Sequence, residues 1–165
     1  MSLLDRAFKL VHRLFPARVA RAHCDIPCGI YDPHMAQIAA LTVVRMVQMI
    51  QDTKNEDHTG YTAQISRLTK VKEEHAELAK HELRVLWGDY FKPEHLQQFP
   101  DLHDKFWKAM KAASLSRQRV DMQAAQDLLA ATQDIAEVFW KTKGVATKRL
   151  PSHQTAGGEL VYPAS

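Results

Sequence analysis

The stretch "YTAQISRLTKVKEEHAELAKHELRVLW", residues 61–87, decides the fold class of this chain, because it has the pattern of one long helix. In a helix, side chains three and four positions apart lie on the same face. Gly88 and Pro93, in the following "GDYFKP", are typical of residues that end a helix. We therefore predict a helix from about Tyr61 to Trp87, whose core-facing positions are Ile65, Leu68, Val71, His75, Leu78, Glu82 and Val85.

Three further segments have the same periodicity. The first begins where Asp32 can cap a helix that has Pro33 at its first position, and it runs to about Gln51. The next segment begins near residues 100–101. The last one runs from about Val120 to Lys143. We find no alternating strand pattern and no internal repeat. Four helices with mostly short connections predict an all-α fold, an antiparallel four-helix bundle.

The composition of the chain narrows the class of protein. Its 165 residues suit one domain, and 45% hydrophobic with 25% charged residues is typical of a soluble globular protein. No apolar run approaches the roughly 20 residues that cross a bilayer, so we expect no stable membrane insertion. Two cysteines are too few for a disulfide scaffold and are compatible with a reducing cytosol.

The positive charge is concentrated at the start of the chain. Residues 1–22 hold five basic residues and one acidic residue, so this leader carries +4, and the whole-chain charge of +3 leaves −1 for the rest. A nucleic-acid-binding protein would need a basic stripe in its body, so we expect no nucleic-acid partner.

The leader has the pattern of a short amphipathic helix, "MSLLDRAFKLVHRLF", which Pro16 should stop. Its basic residues interrupt the apolar stretch, which makes it a poor secretory signal. It could be a docking handle, a membrane-surface helix, an organelle-targeting peptide or a first structural helix. The following "ARVARA" has the small and basic residues that proteases cut, which favours removal of residues 1–22. At the other end, residues 144–165 lose periodicity and gain Gly and Pro, so we predict a flexible tail after a bundle of residues 23–143.

Both cysteines lie in "HCDIPCGIYDPH", residues 23–34. Such a pair could form a small strained disulfide, pack in the core or be incidental. A structural zinc site would need further Cys or His ligands at suitable spacing, and His34 and His58 are poorly placed to supply them.

Cleavage before His23 would create a different set of donors. The freed α-amine, the amide and thiolate of Cys24 and the thiolate of Cys28 could bind one metal ion. Two nitrogen and two sulfur donors in a plane suit nickel(II) or copper(II) better than zinc, and the His23 imidazole could approach along the axis. Such a site could exchange one electron, but the spacing alone leaves the metal and the substrate open.

These residues resemble a known family. "HCDIPCGIYDP", residues 23–33, matches every fixed position of the metal hook of the nickel-containing superoxide dismutases, H-C-D-x-P-C-G-x-Y-D-P. We call these residues the hook. "ELAKHELRVLWGDYFKP", residues 77–93, resembles that family's second helix and the turn after it, and "VFWKTK" around Trp140 resembles its final helix. The resemblance covers roughly residues 23–143.

The resemblance implies an enzyme that converts two superoxide ions and two protons to dioxygen and hydrogen peroxide. It also implies one nickel ion per subunit, a homohexamer, a cytoplasmic location and a propeptide removed by a dedicated peptidase. By position, the nickel ligands would be His23, Cys24 and Cys28. Asp25 and Tyr31 would shape the anion pocket, and Tyr90 would hold Tyr31 by a hydrogen bond.

Other implied features concern the shape and the surroundings of the hook. Pro27 could adopt the cis bond that turns it. Where family members orient the axial imidazole with a glutamate and an arginine, this chain has Ala39 and His75. His75 could replace the arginine or be an ordinary core histidine.

Three other functions remain open at this point. The hook could bind or deliver nickel or copper without turnover, Cys24 and Cys28 could act as a thiol switch, or the chain could be a helical interaction protein.

Overall fold

The computed structural model describes residues 28–164. The predicted leader helix, three of the predicted site residues (His23, Cys24 and Asp25) and the Pro27 bond lie outside the described residues. Among residues 28–164, none of the helices is both long enough and apolar enough to cross a membrane.

Two long helices follow the hook, and just before each one an aspartate side chain accepts hydrogen bonds from first-turn amides. Helix α1 spans His34–Asp52, and its first amide, that of His34, donates to Asp32 Oδ1 at 2.7 Å. Helix α2 spans His58–Val85, and the Asp57 carboxylate accepts from the first-turn amides of Thr59 and Gly60. An aspartate side chain suits these positions because the first amides of a helix have no partner within it.

The chain then turns through a π-helix and a short helix. The π-helix spans Leu86–Tyr90 and is closed by the Phe91 amide, which donates to the Leu86 carbonyl at 3.0 Å. Helix α3 spans Pro93–Gln98, where Pro93 occupies a first-turn position that needs no N–H donor. The sequence predicted an end to the helix here and missed α3.

Two more long helices complete the helical part. Helix α4 spans Leu102–Gln118 and helix α5 spans Met122–Thr142. Helix α1 contacts α2 and α5, and α4 contacts the same two, so the four long helices form a closed cycle of contacts. Their predicted positions agree with the structure to within a few residues. The chain is therefore mostly helical.

The buried face of α2 is rotated by about one position from the predicted face. Its buried side chains include Ala76, Ala79 and Leu83, whereas His75 and Leu78 lie at the edge of the core. Alanines at the centre let the helices approach closely, which a count of large apolar residues does not reveal. Helix α5 follows the prediction, since Leu128, Thr132, Ile135, Val138 and Phe139 are all buried.

One of the buried residues of α2 is a lysine. The Lys72 side chain is 1% exposed, and its Nζ donates to the carbonyls of Ser116 and Arg117 at the end of α4. Burial lowers the pKa of this amine. The last carbonyls of a helix have no partner within it, so Lys72 stabilises the end of α4 as a C-terminal cap.

The prediction of a flexible tail over residues 144–165 is wrong for most of that segment. Strands β1, Thr147–Pro151, and β2, Glu159–Pro163, pair antiparallel with Arg149 opposite Val161. Leu160 and Val161 are buried, and each such side chain contributes about 1.5–3 kcal/mol. The glycines that indicated a tail form the turn, where Gly157 and Gly158 have positive φ. Strands of five residues are too short for a clear alternation. We call residues 147–163 the C-terminal hairpin.

Removing the buried amine should weaken the fold. We expect Lys72→Met to lower the free energy of unfolding by about 1–3 kcal/mol, because two carbonyls at the end of α4 lose their donor. Urea unfolding measures the change. Lys70→Met, on the exposed face of the same helix, should change it by less than about 0.5 kcal/mol. Equal effects of the two variants would contradict the capping role of Lys72.

A surface carboxylate that joins α2 to α4 should make the stability depend on pH. Glu77 accepts from Arg84 and Arg117, each at 2.7 Å, and the hydrogen bond from Arg84 holds the pKa of Glu77 below its ordinary value. Because the folded pKa is the lower one, this stabilisation is present above the unfolded pKa and is lost as pH falls through the folded pKa. Glu77→Gln should therefore flatten the fall of unfolding free energy between about pH 5 and pH 3. Glu74→Gln is the control, and an unchanged slope in Glu77→Gln would exclude this contribution.

Candidate metal centre

The described part of the hook leads directly into α1. Cys28 is exposed at its start, and Gly29 has a φ of 74°. A Cβ at Gly29 would meet nothing within 4 Å, so the positive φ, and not crowding, makes glycine suitable there. Asp32 then caps α1. Cys28 is thus exposed a few residues before α1 begins.

Tyr31 and Tyr90, two predicted site residues, are brought together. Their ring centroids lie 5.6 Å apart with the planes at 55°, and both side chains are half-buried. Tyr90 is the last residue of the π-helix, whose wider turn ends α2 beside the hook. The described contact between the two residues is ring packing, and the hydrogen bond that the resemblance implies stays a prediction.

The hydroxyl of Tyr90 has a defined role as a donor. Tyr90 Oη lies 2.6 Å from Thr142 Oγ1, and Thr142 Oγ1 donates to the Phe139 carbonyl at 2.7 Å. A threonine hydroxyl has one proton. That proton is used on Phe139, so Tyr90 donates to Thr142. Any hydrogen bond between the two tyrosines must therefore run from the Tyr31 hydroxyl to the Tyr90 oxygen.

Tyr90 lies in a cluster of rings at this end of the molecule. Its ring centroid is 4.5 Å from that of Phe139, 5.0 Å from that of Phe91 and 5.7 Å from that of His95. Lys143 Nζ lies 4.7 Å from the Phe139 ring centroid and 5.6 Å from that of Tyr90, which places a cation over the rings. Sequence reasoning missed Thr142, Lys143 and His95 as neighbours of Tyr90, since Thr142 and Lys143 lie at the end of α5, far along the chain, and His95 lies in α3, which was not predicted.

The two positions that depart from the family pattern differ in environment. Ala39 is 1% exposed in the core and carries no group that could orient a ligand. His75 is half-buried, and its Nδ1 lies 2.8 Å from the Val71 carbonyl one turn earlier. A carbonyl only accepts, so this contact fixes the proton on Nδ1 and leaves Nε2 of a neutral ring as an acceptor.

Among residues 28–164, no three His, Cys, Asp or Glu side chains are grouped so that they could hold a metal ion. Of the predicted metal ligands, only Cys28 lies in the described part of the chain.

Comparison with known proteins gives a consistent result. The sequence model of the family described as nickel-containing superoxide dismutase matches residues 18–143. The curated protein "Superoxide dismutase [Ni]" of Streptomyces seoulensis is 42% identical over 135 residues, which cover 81% of this chain and 98% of that protein. Its counterpart in Streptomyces coelicolor is 40% identical over the same lengths.

Solved structures agree with the sequence matches. A native nickel superoxide dismutase has a TM-score of 0.67 and 38% identity, covering 73% of this chain and 99% of that one. A Ni-containing superoxide dismutase with nickel ligation corresponding to the oxidized state has a TM-score of 0.67 and 41% identity, covering 74% of this chain and 99% of that one.

The hydrogen bond from Tyr90 to Thr142 can be tested by removing one oxygen. We expect Tyr90→Phe to lower the free energy of unfolding by about 0.5–1.5 kcal/mol while the rings stay packed. Tyr61→Phe, in the first turn of α2, should leave it within about 0.5 kcal/mol. Chemical denaturation measures both, and a Tyr90→Phe variant as stable as the parent would show that the bond makes no net contribution.

Proposed function

The chain belongs to the nickel-containing superoxide dismutase family, and from this premise we propose that its catalytic centre is the hook, completed by cleavage before His23. Enzymes of this family act on superoxide and use nickel. Two superoxide ions and two protons yield one dioxygen and one hydrogen peroxide. The observation that carries the proposal is the family match over residues 18–143, which includes the whole hook with its two cysteines.

The donors of the hook fit nickel by their chemistry. We propose that the ligands are the α-amine and imidazole of His23, the amide and thiolate of Cys24 and the thiolate of Cys28. Thiolate with nitrogen donors suits nickel(II), and Cys28 is exposed. The chemistry that bound nickel supplies is one-electron exchange between two oxidation states, which anionic donors favour.

The residues beside the hook would define the space for a small anion. We propose that Tyr31 and Asp25 shape this pocket and that Tyr90 holds Tyr31. The ring contact of 5.6 Å supports the pairing of the tyrosines. Because the Tyr90 proton is committed to Thr142, Tyr31 would be the donor in their hydrogen bond. The orientation of the Tyr31 hydroxyl would then be set from α5.

His75 is our candidate for the residue that orients the His23 imidazole. Its Nε2 can accept a hydrogen bond while Nδ1 is occupied by Val71. Ala39 cannot assist, so one histidine would replace the glutamate and arginine of other members. Partners of a metal ligand set its orientation and basicity, so we expect this change to affect the rate and the stability of the oxidised state, but not the reaction.

The larger organisation follows from the resemblance. We propose that the four long helices form an antiparallel bundle, which their closed cycle of contacts supports. We further propose that the mature enzyme is a cytoplasmic homohexamer and that a peptidase removes residues 1–22.

The cleavage requirement gives the sharpest test. We expect nickel-loaded chains beginning at His23 to remove superoxide, and chains beginning at Ala22 or Met1 to show only background rates, since the His23 nitrogen is then an amide. A superoxide decay assay measures this. The Ala22 chain is the matched control, because it differs by a single residue.

Electron paramagnetic resonance of the oxidised, nickel-loaded chain should show coupling to the His23 imidazole nitrogen, which would be lost in His23→Ala. Equal activity of the His23 and Ala22 chains would refute the proposal. Tight nickel binding without superoxide removal would indicate a nickel-binding protein instead.

A further inference from the structure

The C-terminal hairpin lies beyond the residues that match the family model. The family match ends at residue 143, and the hairpin begins at Thr147. The native nickel superoxide dismutase is covered over 99% of its length by 73% of this chain. A segment outside the shared part has no role assigned by the family, so its contacts must indicate what it does.

The hairpin is attached to the bundle by specific polar contacts. Gln37 of α1 is completely buried, and its side-chain amide pairs with Val161 as a strand would: Nε2 donates to the Val161 carbonyl at 3.2 Å and Oε1 accepts from the Val161 amide at 2.8 Å. On α5, Gln133 Nε2 donates to the Glu159 carbonyl at 2.6 Å. Arg149 of β1 forms ion pairs with Asp134 and Glu137. Helices α1 and α5 therefore both hold the hairpin in place.

The hairpin also reaches the place where the hook joins α1. We call residues 31–34 the stem. The ring of Tyr162 lies 5.6 Å from that of His34, centroid to centroid. Asp32, His34, Trp140 and Tyr162 line one surface cleft between the stem, α5 and β2. The stem is therefore held on two sides, by Tyr90 against Tyr31 and by Tyr162 against His34.

We propose that Tyr162 is a positioning residue for the nickel site, acting through its ring contact with His34 on the stem. This inference rests on the function proposed above. The ligand Cys28 lies only six residues before His34, and the chain between them contains Tyr31 and the Asp32 cap. Fixing the stem limits the directions in which the hook can leave the bundle. The hairpin thus gives the stem of this chain a contact from a segment beyond the family match.

The test uses the nickel-loaded mature chain with Tyr162→Ala. We expect the nickel dissociation constant to rise by roughly two- to threefold, less than the roughly tenfold loss for a direct partner of a ligand, because Tyr162 acts only through the stem. We also expect the electron paramagnetic resonance signal of the oxidised state to broaden. Tyr162→Phe keeps the ring and should behave as the parent. Arg149→Ala loses a hairpin contact with α5 only, and should lower stability without changing the signal.

His34→Ala removes the same contact from the other side. It should reproduce the effect of Tyr162→Ala, and the double variant should be no worse than either single one. This second variant also keeps the test decisive if Tyr162→Ala does not fold. An unchanged signal and nickel affinity in both single variants would overturn the inference. If the parent chain itself binds no nickel and gives no signal, the proposed function fails instead.

Discussion

The contact between Tyr31 and Tyr90 joins the described part of the hook, residues 28–33, to the helical part of the molecule. Among the described hook residues, 28–33, only Pro33 is buried, so the geometry of this part depends on the contacts at its end. Tyr90 is fixed by the hydroxyl of Thr142 and by the ring of Phe139, both on α5, while its backbone belongs to the π-helix that follows α2. One tyrosine therefore joins the hook to two helices that are distant in sequence.

The buried apolar residues of the described chain form two clusters with different compositions. One cluster is rich in alanine and valine from α1 and α2, which lets these helices approach closely. The other contains Phe106, Phe139 and the partly buried aromatic residues that surround Tyr90. Aromatic side chains bury a large area with few rotatable bonds, so this end of the molecule is suited to hold a neighbouring loop in a fixed position.

Much of this arrangement could be predicted from the sequence, for identifiable reasons. The four long helices were recognised from periodicity, and the hook from an unusual motif, because both signals are local. The π-helix, α3 and the C-terminal hairpin were missed. The hairpin is held by Gln37 and Gln133, whose partners are backbone groups far along the chain. The same limit applied at the site: Thr142 and Lys143 reach Tyr90 only through the packing of helix ends, whereas Tyr31 and Tyr90 were found from the family motif.

The pairing of Gln37 with Val161 spans 124 positions, from the first described helix to nearly the last residues of the chain. Synthesis runs from the amino end, so this pairing cannot form until residue 161 has left the ribosome. Until then α1 exists without β2 beside it, and the buried amide of Gln37 has no strand to bind. The contacts between the hairpin and the stem therefore form late in biosynthesis, only after residues 147–163 have emerged.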